Sequence, residues 1–546
     1  MWRSKELNIY SRRTSAKKVR DEATDIAFLR QHNNHITNGE EATYSTVKNG
    51  IHHLSYIANY SKGLKHDNNG DPDPVSYESL VRALNSGKNI DFENIEISPL
   101  FTNNFNEFHS PQSGLAFDLE GPDAASLTIP PAPRIDSLEN SAEMIELYWK
   151  SKFRDINFAA FGDPSRANYE GDTLPSNHKN QIDDAIDDLN EFDDEFKGPK
   201  IGKKVTKSTL FRGLTNGDLL GPYLSQFLIL KVPYGTLKFD QKERIVKPGK
   251  DYLTTFTDWL NVQNGDNSPR GTDSFNGNED TVRHIMTPRD LTYYVHFDAL
   301  YEAYLNACLI LIGMNAPADP GNPYTSSNKQ TGFATFGGPH ILSLVCEVAT
   351  RALKAVWFQK WNVHRRLRPE EFGGRIYNIA TNTAYKIDKK VKDIIEKKIL
   401  DTNYFKKMNP KSYLLSQAFP EGCPPHPAYG AGHATVAGAC VTILKAWFDE
   451  SFVIPDPKVP DKNGNTLINY TGSDKNKLTV GGELNKVASN IALGRDWAGV
   501  HWRSDGTEGL KLGESVAIGI LQEQKNTYNE DAYFSLTKFD GTGIQI

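Results

Sequence analysis

Apolar residues recur at helical spacing along most of this chain. Ile182, Ala185, Ile186, Leu189 and Phe196 fall on one face of a stretch whose other positions are rich in Asp and Glu, a pattern that predicts an amphipathic helix with a solvated acidic side. Longer apolar-patterned segments occupy 290–314, 339–365, 431–449 and 483–523, with short loops or Pro/Gly breaks between them. Strand signals are few. Residues 229–232, and 467–470 after the turn-forming pair Asn463-Gly464, predict small hairpins. Polar Asn/Asp/Gly/Pro stretches at 62–75, 264–279 and 315–330 read as loops, and 156–180 as a mobile segment. No repeat of fixed period is present. The expected fold class is mainly α, built of helical bundles with a few short β-hairpins and with ligands bound between facing helices.

Composition narrows the function. At 546 residues the chain can bury one large core or two, and 38% hydrophobic with 24% charged residues is ordinary for a globular protein. A net charge of −6 argues against a general binder of nucleic acid or anionic membrane. The best apolar run, 307–314, is far too short for a membrane span. Basic residues at the N-terminus are not followed by an apolar stretch, so no signal peptide is expected and a cytoplasmic location is the default. Cys308, Cys346, Cys423 and Cys440 are widely spaced without CxxC pairs, which argues against a zinc site or a disulfide framework. They read as core thiols, with Cys423, close to His426, the one whose reactivity is worth testing.

Candidate chemistry lies in three clusters of the C-terminal half. In KWNVHRRLRPEEFGG, Lys360 and His364 can share a helical face, and Arg368 before Pro369 is expected to project from a helix end. Taken alone, such cations also serve as partners of a helix dipole. In PEGCPPHPAYGAGHATVAGAC, prolines hold a loop that carries His426 and feeds a small-residue helix starting near Ala431. Free N–H groups at such a start bind anions, Gly432 admits a ligand close to the backbone, and His433 sits in the first turn. A Gly/Ala-rich helix packed tightly against a neighbour would read the same way. In ASNIALGRDWAGVHWRSDGTEG, His501 and Asp505 stand four apart and can share a helical face, and Arg495 supplies a forked donor unless it pairs with Asp496 or Glu483. Together the clusters can surround one tetrahedral oxyanion with cations, backbone donors and a neutral imidazole.

In order and spacing these clusters resemble the vanadium-dependent haloperoxidases, most of all the bromoperoxidase branch of red algae and cyanobacteria. The resemblance runs on through GDLLGPYLSQFLILKVPYG, DYLTTFTDWLNVQNG and DLTYYVHFDALYEAYLNACL and covers most of the chain from about residue 75. It implies a helical-bundle fold of the haloperoxidase and acid phosphatase superfamily type, with vanadate as cofactor. His501 would be the metal ligand, Asp505 its partner, and Lys360, Arg368 and Arg495 the cations on the vanadate oxygens. The Gly432 N–H would donate to another oxygen, and His433 would be the acid/base group. His426 matches a histidine of bromoperoxidases where fungal chloroperoxidases carry an aromatic residue, which favours bromide or iodide over chloride. One position departs from the pattern: the family usually has serine before the Gly-His pair, and this chain has Ala431, with Thr435, water or nearby backbone as candidate replacements for the missing donor.

The activity so implied is oxidation of a halide by hydrogen peroxide to hypohalous acid, which halogenates small organic acceptors. The vanadium would act as a Lewis acid of constant oxidation state, and neither a haem nor a dinucleotide fingerprint stands out. The alternative is phosphate-ester hydrolysis at the same oxyanion site, with the axial histidine as nucleophile. A third reading is an inactive oxyanion-binding shell protein. Residues 1–200 show no comparable site chemistry and are expected to serve oligomerisation, while 201–546, with a core at about 290–523, are expected to carry the site. The resemblance implies a homo-oligomer, a dimer or an assembly of dimers, and no carboxylate loop supports a calcium site.

Overall fold

The computed structural model describes residues 11–546 apart from 12, 23, 26–34, 49–50, 102–106, 162–175, 267–273, 409 and 411. Its longer helices include α1 (Pro74–Ser86), α2 (Leu138–Lys152), α3 (Ser176–Asn190), α4 (Pro288–Phe297), α5 (Glu302–Gly313), α6 (Gly338–Phe358), α7 (Pro369–Thr381), α8 (Gly432–Trp447), α9 (Val480–Ala498) and α10 (Arg503–Lys525). The described strands form five two-stranded antiparallel pairs and nothing larger. The mainly α expectation therefore holds.

Helix α8 is the central element because its sequence lets it be. Apart from His433 all its residues are buried, and it packs against α6, α9 and α10. Its closest neighbour is α10. A Cβ on Gly438 would lie 2.1 Å from the Leu510 carbonyl oxygen, and one on Gly513 would lie 1.9 Å from that of Thr435, so glycine is required on both sides of this contact. The tight-packing reading of the small-residue run and its anion-site reading are thus compatible.

Two segments that read as continuous helices are broken. The first, 290–314, is split between α4 and α5 with a bend of 99° around Asp298. The second, 483–523, stops at Gly499, whose φ of 87° ends α9 in a left-handed cap before α10 begins at Arg503. The 339–365 segment continues from α6 as a π-helical turn, Gln359–His364, closed by Arg365 at φ 42°. Arg368 therefore caps the start of α7, with Pro369 at the first helical position, instead of ending the preceding helix.

The 467–470 hairpin is present, as Leu467–Asn469 against Lys458–Pro460. The other lies slightly later than expected, pairing Val232–Tyr234 with Leu237–Phe239. The Ile182 face is found on α3, where Ile182, Ala185 and Leu189 are buried. Of the stretch expected to be mobile, 156–161 contains the short 3-10 helix Phe158–Ala160 and 176–180 belongs to α3, while 162–175 lies outside the described residues. So do 267–273 of the 264–279 loop.

One hydrophobic core runs from Tyr44 to Leu536, drawing on α2 and α3 as well as on the C-terminal helices, and residue 200 is no boundary in it. No single described helix is long and apolar enough to cross a membrane. All four cysteines are free thiols, and burial pushes that of Cys423 far above its usual range, which takes away the reactivity suggested for it.

Candidate oxyanion site

The breaks in the helices are where the site is built. His501 lies in the turn between α9 and α10, not on a helix with Asp505 as its spacing suggested. Asp505, in the first turn of α10, reaches back instead. Its Oδ2 accepts the Trp502 N–H at 3.1 Å and faces His501 Nδ1 at 2.8 Å. Arg368 Nη1 donates to His501 Nε2 at 2.9 Å. The ring therefore carries its proton on Nδ1 and turns the Nε2 lone pair toward the cations. Burial first, then the charges of Arg368, Lys360 and Arg495, holds this imidazole well below its ordinary pKa, so it is neutral.

Arg368 contacts this lone pair, and Lys360 and Arg495 are buried near enough to act on the ring electrostatically. Lys360 is fully buried and gives two of its three N–H donors to the carbonyls of Pro427 (2.7 Å) and Ala428 (2.8 Å). Burial and neighbouring Arg368 hold its ammonium well below its usual range. Arg368 also clamps the His426 carbonyl and the Val500 carbonyl. Arg495 pairs with neither Asp496, which takes Lys150, nor Glu483, which takes Lys486. Its Nη1 donates to the Val295 carbonyl at 2.8 Å, while its buried Nε has no partner. Burial, with Arg368 nearby, lowers it to about 10. Such a concentration of buried cationic groups is stabilised by a counter-anion.

Helix α8 begins beside these cations. Ala431 is its N-cap and offers no side-chain acceptor, so the N–H groups of the first turn, Gly432 among them, have no intrahelical partner. Thr435 is not the missing donor, because its hydroxyl donates to the Ala431 carbonyl at 2.9 Å. His433 and His426 line the same cavity of about 620 Å³ as Gly432, Arg495 and His501. His426 is buried and packed against Trp357, with ring centroids 4.8 Å apart; burial and the charge of Arg368 keep it neutral. His364 turns away from Lys360 and packs edge-on against Tyr429, so the two do not share a face of the site.

Two contributors were not legible in the sequence. Asp298, at the break between α4 and α5, holds His433 Nε2 at 3.0 Å. Burial pushes its carboxyl up, but His433 and Arg495 outweigh this and leave it below its ordinary value. Arg366 fixes the other Asp505 oxygen at 2.9 Å. Its only local sign in the sequence is a cation two residues before Arg368, because its partners Asp505 and Glu143 are distant in the chain.

The donor set fits a tetrahedral oxyanion: the helix start at Gly432, the His501 imidazole and Arg495, whose buried Nε is unpartnered, line one cavity, and the buried cations Arg368 and Lys360 lie behind it. It does not resemble a cluster for a free metal cation, since no group of three or more His, Cys, Asp or Glu suited to a metal exists among the described residues.

Residues 341–530 match a family model described as the VCPO second helical-bundle domain. The vanadium-dependent bromoperoxidase of Corallina officinalis is 40% identical over an aligned length of 613, covering 99% of both chains. That of Corallina pilulifera is 41% identical with the same coverage, and that of Ascophyllum nodosum 31% identical over 92% of this chain and 88% of its own. The homohexameric structure of the second vanadate-dependent bromoperoxidase from Ascophyllum nodosum superposes with a TM-score of 0.81 at 26% identity, covering 97% of this chain and 89% of that one.

Proposed function

We propose, since the chain belongs to the vanadium-dependent haloperoxidase family and is of its bromoperoxidase type, that it oxidises bromide with hydrogen peroxide at a vanadate held beside His501. The observation that carries this is the neutral, Asp505-oriented His501 imidazole with Arg368 on its Nε2 and with Lys360 and Arg495 close enough to act on it electrostatically. Vanadate bound there would supply Lewis-acid activation of peroxide toward halide without a change of oxidation state.

The protein's own groups have separable tasks. Lys360, Arg368 and Arg495 neutralise the oxyanion, and the Gly432 N–H adds a backbone donor. Asp505 keeps the proton on His501 Nδ1, so Nε2 stays a ligand. Arg368 Nη1 bonds that nitrogen and would be placed to hold an oxygen of an anion bound there. Asp298 holds Nε2 of His433, which leaves Nδ1 as the atom that exchanges protons with the cavity. Neutral His426 borders the halide's path, and bromide or iodide is the preferred ion. The products, hypohalous acid or its equivalent, halogenate small organic acceptors, and the working form is a homo-oligomer, a state that light scattering measures directly.

Phosphate-ester hydrolysis would use the same donors, but the relatives that align over 99% of this chain are bromoperoxidases. The test is peroxide-dependent bromination of a phenol-type dye with and without orthovanadate, with p-nitrophenyl phosphate hydrolysis run in parallel. Bromination that requires vanadate, is inhibited by phosphate and is lost in His501→Ala is expected. Vanadate-inhibited phosphatase activity without halide oxidation would overturn the proposal.

A further inference from the structure

Helix α2 lies in the N-terminal 200 residues, far in sequence from every residue of the oxyanion site. Asn140, Glu143, Glu146 and Lys150 are nonetheless polar, at most 2% exposed, and spaced so that they share one helical face. Each reaches a residue adjoining a member of the site. Arg366, two before Arg368, donates to Asn140 Oδ1 and to Glu143 Oε2, both at 3.0 Å. Ser504, three after His501, gives its N–H to Glu143 Oε1 at 2.6 Å. Arg503, two after His501, donates through Nε to Glu146 at 2.7 Å. Asp496, next to Arg495, accepts from Lys150 at 3.1 Å, and Lys150 is 3.2 Å from Glu146.

Burying these charges does nothing for the fold that apolar side chains of similar size would not do as well, since desolvation cancels most of the attraction within a buried pair. What an ionic contact adds is register, because donors and acceptors meet in only one arrangement. Register is what the site needs: its cations, imidazole and helix start come from three segments, and a displacement of 1 Å is costly at such a centre. We infer that the buried polar face of α2, with Glu143 at its centre, positions the oxyanion site by holding the neighbours of Arg368, Arg495 and His501 in register. Glu143 acts through two routes, the Ser504 N–H and the Arg366 guanidinium that in turn orients Asp505. It touches neither substrate nor oxyanion and is a positioning residue.

The inference rests on the vanadate reading of the site, and the test separates the two. Orthovanadate affinity is measured by equilibrium dialysis on the full-length protein, alongside its melting temperature without vanadate. Glu143→Gln keeps the shape and removes the charge that Arg366 needs, and a dissociation constant raised at least tenfold is expected. Asp188→Asn is the control. Asp188 is equally buried and also grips α2, through Trp149 Nε1 at 2.9 Å, but its other partners are the Asn403 and Tyr404 N–H groups, outside the site. Its affinity should stay within twofold of wild type even where its melting temperature falls as far. If Glu143→Gln does not fold, Asn140→Ala, which removes one acceptor from Arg366 and no charge, should still weaken binding about threefold. Wild-type affinity in the variant that folds, or equal weakening in Asp188→Asn, overturns the inference. A wild-type protein that binds no vanadate overturns the reading beneath it as well.

Discussion

At the residue scale the site reads as a set of charges waiting for their counter-ion. Lys360, Arg368 and Arg495 stand out in the sequence because two cations, a Gly-His pair, a third cation and a second histidine in that order resemble one family's oxyanion site, although each cluster alone also has an ordinary structural reading. Asp298 and Arg366 do not, because an Asp or an Arg acquires its role only from a partner more than 130 positions away. Ala431 stands where the family resemblance implies a serine. Thr435 is occupied, so its hydroxyl does not supply the donor at that corner. Ala431→Ser is therefore expected to tighten vanadate binding by about tenfold, the lower end of the 1.5–3 kcal/mol of a hydrogen bond to a charged group. Vanadium-51 NMR titration measures it, and equal affinities in the two proteins would speak against a donor at this position.

At the scale of elements, periodicity located the helices but not their interruptions. A hydrophobic stripe continues across Asp298 and across Gly499 because residues on both sides of each break still face the core. The chain turns there all the same, and the turns deliver Asp298 and His501 to the cavity. The contact of α8 with α10 is the element-level feature that sets the position of Gly432 and His433. In Gly513→Ala the new methyl would meet the Thr435 carbonyl oxygen at 1.9 Å and the Ala439 nitrogen at 2.6 Å, both backbone atoms that cannot rotate away. The helices must part, at a cost of about 3 kcal/mol or more. Denaturant unfolding should show that loss, and vanadate affinity should fall with it as the helix start shifts.

At the scale of the whole molecule, the N-terminal third is part of the same core and reaches the site, a joining that no local pattern in the sequence announces. Its own stability carries a pH signature. Glu40 is 3% exposed, its Oε1 accepting from the Tyr44 hydroxyl and the Ile135 N–H, and burial raises its carboxyl from 4.5 to about 7. The folded chain thus holds this proton more tightly than the unfolded chain does. The contribution is full below about pH 4.5 and is lost as pH rises through about 7, amounting to about 3 kcal/mol at most. Melting curves of wild type and Glu40→Gln across that window should converge toward low pH and separate toward neutrality, with wild type the less stable; parallel curves would remove Glu40 as the cause. The polar face of α2 has a consequence in time as well. Glu146 and Arg503 are 357 positions apart, so α2 leaves the ribosome long before its partners have been synthesised. Its charges stay hydrated until the last helices arrive, and a contact this distant closes late and slowly. The oxyanion centre is accordingly expected to form late in folding, so dissolved vanadate or phosphate should change a late refolding phase and leave the early ones as they are.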